Sequence, residues 1–282
     1  MDIMYIPRII DDEIIATLRN FPIVALVGPR QCGKSTSAKE LLRNFPNSIY
    51  LDLERPSDLA KLDDAEWFLS SVREKLICID EVQRSPDLFP LIRSLVDEWG
   101  ENGKFLLLGS ASRELLKQTS ESLAGRIVYK KMAPFSWQEI NHLYKLENYF
   151  ERGGFPRSII PSDLNVSLEW RESFISTFLE RDLLQWSGVS PTTMRRMWQM
   201  LAHHNGQTVN YTILGNSLGV SHNTIKNYID LLESTFMLEV LKPYFSNLGK
   251  RLVKAPKIYI ADSGITASLL SLKKYRPYCS IT

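Results

Sequence analysis

The apolar positions of the chain fall into short dense runs separated by longer amphipathic stretches. Ile23–Val27 (IVALV), Ser48–Leu53 (SIYLDL), Leu76–Glu81 (LICIDE), Lys104–Gly109 (KFLLLG) and Ile127–Lys131 (IVYKK) are each of strand length and rich in aliphatic residues. Runs of this kind suit strands buried on both faces, as in a parallel sheet. Between them the pattern predicts helices over Asp12–Asn20, Lys34–Asn44, most of Arg55–Ser71 (with Trp67, Phe68 and Leu69 turned inward) and Ser85–Trp99. In the last of these, Ser85 caps, Pro86 takes the first helical position, and Gly100 and Gly103 close. Five strands alternating with helices predict an α/β domain, a parallel sheet with helices on both faces.

Past residue 135 the period changes. Ser136-Trp-Gln-Glu139 is a capping box, and Gly153-Gly154-Phe155-Pro156 is a tight turn between helical stretches. Residues 169–187 carry Trp170, Phe174, Phe178, Leu179 and Leu183 on one helical face, which reads as the packing of a helical lid. Ser190-Pro191 opens a helix over Thr192–His203. Tyr211–Tyr228 (YTILGNSLGVSHNTIKNY) has helix-turn-helix spacing: Leu214, Leu218, Val220, Ile225 and Tyr228 are the apolar contacts. Gly215 falls at the helix crossing, Gly219 in the turn and Ser221 at the second cap. Strands at Phe236–Tyr244 and Lys257–Ala261 would flank a basic loop, Asn247–Lys254, as in a winged helix. The expected layout is a helical lead-in (1–20), a P-loop domain (21–135), a helical lid or linker (136–187), a winged-helix domain (188–262) and a short basic tail (263–282).

A length of 282 residues accommodates two domains. No apolar run approaches the ~18 residues of a membrane span, and MDIMYIPRII lacks the features of a signal peptide. Cys32, Cys78 and Cys279 have no metal-ligand spacing, and the expected location is the reducing cytoplasm. Net charge is only +2, but residues 236–282 hold eight basic groups against Glu239 and Asp262, so a polyanion would be met at this end.

The chemistry concentrates at the ends of the strands. Gly28-Pro29-Arg30-Gln31-Cys32-Gly33-Lys34-Ser35-Thr36 satisfies the P-loop spacing. The glycines let backbone N–H groups wrap a phosphate, and Lys34 supplies charge to the β- and γ-phosphates. Ser35 would complete a Mg²⁺ shell, and the following helix points its positive end at the same anion. Asp80 and Glu81 fit the Walker B pattern, with Asp80 holding Mg²⁺ and Glu81 polarising the attacking water. The competing view is a buried strand that ends in surface acids. Ser110, at the tip of the fourth strand, is either a γ-phosphate sensor or simply the strand's end. Arg126 is either a sensor or finger for transition-state charge or a solvated arginine, with Arg30 and Arg84 as weaker candidates. His203-His204 lacks companion carboxylates and predicts no metal site. In the helix-turn-helix, His222, Asn223, Lys226 and Asn227 face outward, and with Lys250, Arg251 and Lys254 of the wing they are the candidate contacts to double-stranded DNA. The same module also serves as a protein-contact domain.

Together these landmarks resemble a group of prokaryotic AAA-type ATPases with a C-terminal winged-helix region. GPRQCGKST, IDEVQ, GSAS, AGR, PFSWQE, GGFP and PKIYIADSG occur in the family's order. The resemblance implies ATP binding by Gly28–Thr36, Mg²⁺ and water at Asp80 and Glu81, and a sensor role for Ser110. Members typically continue into a domain resembling the restriction-endonuclease fold. Here the chain stops shortly after Gly264, so that domain is expected to be absent.

The function expected is Mg²⁺-dependent ATP hydrolysis that repositions a winged helix against DNA. One rival is a slowly hydrolysing nucleotide switch that acts on a protein partner through the winged helix. A second is a small-molecule kinase, against which the Asp-Glu pair and the winged helix both argue. If Arg126 acts in trans, the active form is an oligomer.

Overall fold

In the computed structural model, which describes residues 5–110, 122–182, 190–244 and 255–272, five strands form one parallel sheet. They are β1 (Ile23–Gly28), β2 (Ser48–Asp52), β3 (Leu76–Asp80), β4 (Phe105–Ser110) and β5 (Ile127–Lys131), in the order β2-β3-β4-β1-β5. β1 and β3 are buried at every residue, which is why their sequences show no alternation. The β1-to-β2 connection runs one way across the sheet and later connections run back. Right-handed crossovers therefore place α2 (Lys34–Leu42) on one face and α4 (Ala65–Ser71) and α5 (Leu88–Trp99) on the other. All five carboxyl ends point the same way.

The helices depart from expectation in instructive places. α1 spans Ile9–Leu18, starting before Asp12, because the Asp11 carboxylate caps the Arg8 N–H at 3.0 Å. The helix expected over Arg55–Ser71 is broken into α3 (Pro56–Leu59), a 3₁₀ turn (Ala60–Leu62) and α4. The Asp64 side chain accepts the Trp67 N–H and starts α4 afresh. Leu69 is fully buried, but Trp67 is 68% exposed and does not pack inward. Ser85 and Pro86 form a turn ahead of α5 rather than its cap.

The chain divides into two compact units, Met1–Ala133 and Pro134–Thr282. The second contains α6 (Trp137–Ile140), α7 (Leu146–Arg152), α8 (Pro156–Ile159), α9 (Leu164–Thr177), a π-helical turn (Phe178–Asp182), α10 (Pro191–His203), α11 (Tyr211–Leu218) and α12 (His222–Ser234). The antiparallel pair β6 (Leu238–Leu241) and β7 (Lys257–Ile260) and the helix α13 (Ser263–Leu269) complete it. The aromatic stripe is core: Phe155, Trp170, Phe174, Phe178 and Trp198 form a chain of ring contacts with centroids 5.0–6.3 Å apart. Leu183 and the basic loop Asn247–Lys254 lie outside the described residues.

Two motifs of the second unit prove to be halves of one clasp. The buried Asp262 carboxylate accepts the N–H of Gly154 at 2.7 Å and that of Ile265 at 2.9 Å, so it caps α13 and grips the GGFP turn together. A Cβ on Gly154 would fall 2.1 Å from the Phe135 carbonyl oxygen, and one on Gly264 equally close to that of Arg152. Buried Arg171 ties α9 to the same region through Ser268 Oγ (3.0 Å) and the Glu151 carbonyl (2.8 Å). Residues 263–269, expected in a basic tail, are thus a packed helix with Ile265, Ala267 and Leu269 buried.

Candidate functional site: a phosphate cradle facing two acids

β1 delivers the chain into the P-loop at Gly28, where the turn passes so close to Met132 that a Cβ would lie 2.1 Å from its carbonyl oxygen. Gly33, at φ 105°, is the left-handed residue from which α2 springs. The first N–H groups of α2 have no acceptor within the helix, so the loop and helix end present a concentration of donors. Lys34 is buried, and its ammonium donates to the carbonyls of Gly28 (3.0 Å) and Pro29 (2.8 Å), spanning the cradle it would share with a phosphate.

The loop is braced from the N-terminal side by residues that sequence reasoning missed. Arg8, itself buried, donates to the Cys32 carbonyl at 3.1 Å and to that of Ala133 at 2.6 Å. Asp11 accepts from the Tyr5 hydroxyl, from Ser37 in α2 and from the Arg8 N–H. The Cys32 thiol is buried against the Met132 carbonyl, and burial pushes its pKa up despite nearby Lys34 and Arg8. A protonated, enclosed thiol suits a packing role.

Asp80 ends β3, two strands from β1, and is 4% exposed. One oxygen accepts the Glu81 N–H at 2.9 Å, and the other accepts the Tyr50 hydroxyl. Glu81 leaves the strand in the left-handed region (φ 55°, ψ 41°), which turns its carboxylate out of the sheet, where Gln83 donates to it. Burial raises the Glu81 pKa above the ordinary carboxylate range. Lys34, the Gln83 hydrogen bond and Arg30 pull it down, and Asp80 adds to the rise. Glu81 follows β3, whose carboxyl end lies at the same edge of the parallel sheet as the P-loop. Ser110 ends β4, the strand between β1 and β3, in register with Gly28. Its backbone therefore sits between the two motifs.

The arginines separate by position. Arg126 precedes β5 at Ile127, which pairs with Ile23, the first residue of β1. It is therefore at the amino end of the sheet, roughly 16 Å of strand from the P-loop, and it makes a two-pronged ion pair with Asp97. Within one chain Arg126 thus lies at the opposite edge of the sheet from the P-loop. Arg84 lies on the surface, 3.7 Å from Glu54. Arg30, exposed on the P-loop, is the arginine whose field reaches Glu81.

A magnesium ion fits the donors present. It retains several waters and takes one or two protein oxygens beside phosphate, and the Ser35 hydroxyl and the buried Asp80 carboxylate supply them. Among the described residues no group of three or more His, Cys, Asp or Glu lies close enough to hold a metal ion.

In the second unit His222, Asn223, Lys226 and Asn227 are all exposed on α12. Gly219 turns at φ 70° and Ser221 caps α12 by accepting the Thr224 N–H. The His222 ring rests on Tyr211, with centroids 5.0 Å apart. Lys250, Arg251 and Lys254 lie outside the described residues.

The P-loop and the acidic pair belong to one five-stranded parallel α/β sheet. Residues 20–141 match the AAA domain family, and residues 143–276 match a family described as a domain of unknown function, DUF8612. A Walker-type ATPase of Pyrococcus abyssi shares the fold, with TM-score 0.61 and 14% identity over 94% of this chain and 96% of that one. Uncharacterized proteins of Mycobacterium bovis and Mycobacterium tuberculosis are each 41% identical over 90% of this chain and 57% of their own length. One of Haemophilus influenzae is 26% identical over 89% of this chain and 70% of its own. The chain thus spans little more than half the length of the mycobacterial relatives. Residues 20–141 are thus similar to an AAA domain, and the Pyrococcus protein shares the fold. No helix among the described residues is long and apolar enough to cross a membrane.

Proposed function

We propose that the protein is a Mg²⁺-dependent ATPase whose nucleotide cycle acts on its C-terminal unit. The observation that carries this reading is that Lys34, after β1, and Asp80 and Glu81, at the end of β3, lie at the carboxyl edge of one parallel sheet. On phosphate binding, the Lys34 ammonium exchanges its two loop carbonyls for β- and γ-oxygens, and the P-loop N–H groups hold the chain of phosphates in line. Ser35 and Asp80 would hold a magnesium ion, which would supply neutralising charge to the phosphates. Glu81 accepts a proton from the attacking water as its oxygen bonds the γ-phosphorus and the bond to the β-bridging oxygen breaks. Ser110, in the proposed sensor role, would read the γ-phosphate. The decisive assay compares wild type, Lys34→Ala and Glu81→Gln for nucleotide binding and phosphate release. Equal turnover in wild type and Glu81→Gln would remove the hydrolytic role of the glutamate.

A slow switch is the second reading. It is favoured by the distance of Arg126 from its own site, which leaves Arg30 as the nearby cation.

For the C-terminal unit we propose a winged helix that contacts duplex DNA. The order α10, α11, α12, β6, β7, with Thr208 bridging antiparallel to Lys257, supports the first part. Four exposed polar side chains at the start of α12 and the basic excess of residues 236–282 support the second. Affinity for duplex DNA should fall steeply with added salt. Absence of binding by the full chain at low ionic strength moves the interaction to a protein partner.

A further inference from the structure

We propose that Tyr50 is a positioning residue for the magnesium of the nucleotide site, orienting the Asp80 carboxylate that would hold the ion. The inference rests on reading this cradle as the nucleotide site, and nothing in the P-loop or acidic motifs contains Tyr50.

β2 and β3 run in parallel with Tyr50 opposite Cys78 and Asp52 opposite Asp80. Residues two apart project to the same face, so Tyr50 and Asp80 share a face as diagonal neighbours, a separation that an aromatic side chain spans. The phenol donates to Asp80 Oδ2. Ser35 lies in the first turn of α2 and Asp80 ends β3, so Tyr50 joins the end of β3 to the neighbourhood of the first turn of α2. The ring is fixed from above as well. Lys39, one helical turn beyond Ser35, places its ammonium 4.7 Å from the ring centroid. With the Glu81 N–H on Oδ1 and the phenol on Oδ2, the Asp80 carboxylate cannot rotate freely. Its remaining lone pairs keep one direction.

Outer groups of this kind orient metal ligands, and their removal typically lowers metal affinity about 10–100-fold. A merely structural tyrosine would instead affect fold and nucleotide binding alike. The test is Tyr50→Phe, with a fluorescent ATP analogue titrated into full-length protein in excess Mg²⁺ and again in EDTA. Asp80→Asn serves as the benchmark for losing the carboxylate itself. The expected result is affinity in EDTA matching wild type, with the gain produced by Mg²⁺ reduced about tenfold or more. It should be accompanied by a higher Mg²⁺ concentration for half-maximal binding. An undiminished Mg²⁺ gain overturns the assignment, as does an equal loss in EDTA and Mg²⁺. Wild type that binds no nucleotide in either condition overturns the nucleotide site itself, and with it the role of Tyr50, which separates that failure from the others.

Discussion

Lys34 follows β1 and Glu81 follows β3, and their chemistry separates what each variant should lose. Lys34 is buried and committed to two loop carbonyls, so Lys34→Ala removes both the proposed phosphate partner and a brace across the loop. It should abolish detectable nucleotide binding in calorimetry. Glu81→Gln keeps shape and loses the proton acceptor, so affinity should remain near wild type while turnover falls about 10²–10⁴-fold. The pH profile carries the same logic. Glu81 works deprotonated, and burial raises its pKa, so turnover should fall with acidification at a higher pH than an ordinary carboxylate would give. The Gln83 hydrogen bond favours the charged form. Gln83→Leu should therefore move the acidic limb of the kcat profile further up, and an unmoved limb would mean that another group sets it.

At the scale of elements, α1 and the clasp of the second unit make separable predictions. Arg8→Ala deletes hydrogen bonds to the Cys32 and Ala133 carbonyls, bonds of a charged donor worth about 1.5–3 kcal/mol each. Nucleotide affinity should drop by at least about tenfold with far-UV circular dichroism unchanged, because the P-loop loses its brace while the sheet keeps its core. Gly264→Ala places a methyl 2.1 Å from the Arg152 carbonyl oxygen, where only backbone can yield. It should destabilise the second unit by about 2–3 kcal/mol, seen as an earlier thermal transition with nucleotide binding retained. What the sequence disclosed divides along the same line. Elements set by local period or a contiguous motif were legible: β1, β3, the P-loop, the acidic pair and the capping box at Ser136. Tyr50, Arg8 and Asp262 were not, because their partners lie 30, 24 and 108 positions away. GGFP and PKIYIADSG were each visible, yet only the fold shows that one grips the other. Trp67 misled because helical spacing cannot tell which of three adjacent apolar residues meets the sheet.

At the scale of the whole molecule, Arg126 poses the question of assembly. It sits at the amino end of the sheet, and its own phosphate cradle is at the other, so within one chain it has no access to the γ-phosphate. If it serves catalysis at all, it serves a second copy, and the Asp97 pair holds it on the surface until then. Arg126→Ala should leave nucleotide binding intact in every case. Under the trans arrangement it should also lower turnover, and mixing it with Lys34→Ala should restore part of that turnover. A Lys34→Ala copy still donates its arginine, and an Arg126→Ala copy still holds nucleotide, so mixed interfaces contain one complete site. Phosphate release measured across mixing ratios should pass through a maximum, with its height rising with total protein concentration. A flat line at the level of the separate variants, or full turnover by Arg126→Ala alone, assigns this arginine to the surface pair with Asp97 and leaves Arg30 as the charge beside the cradle.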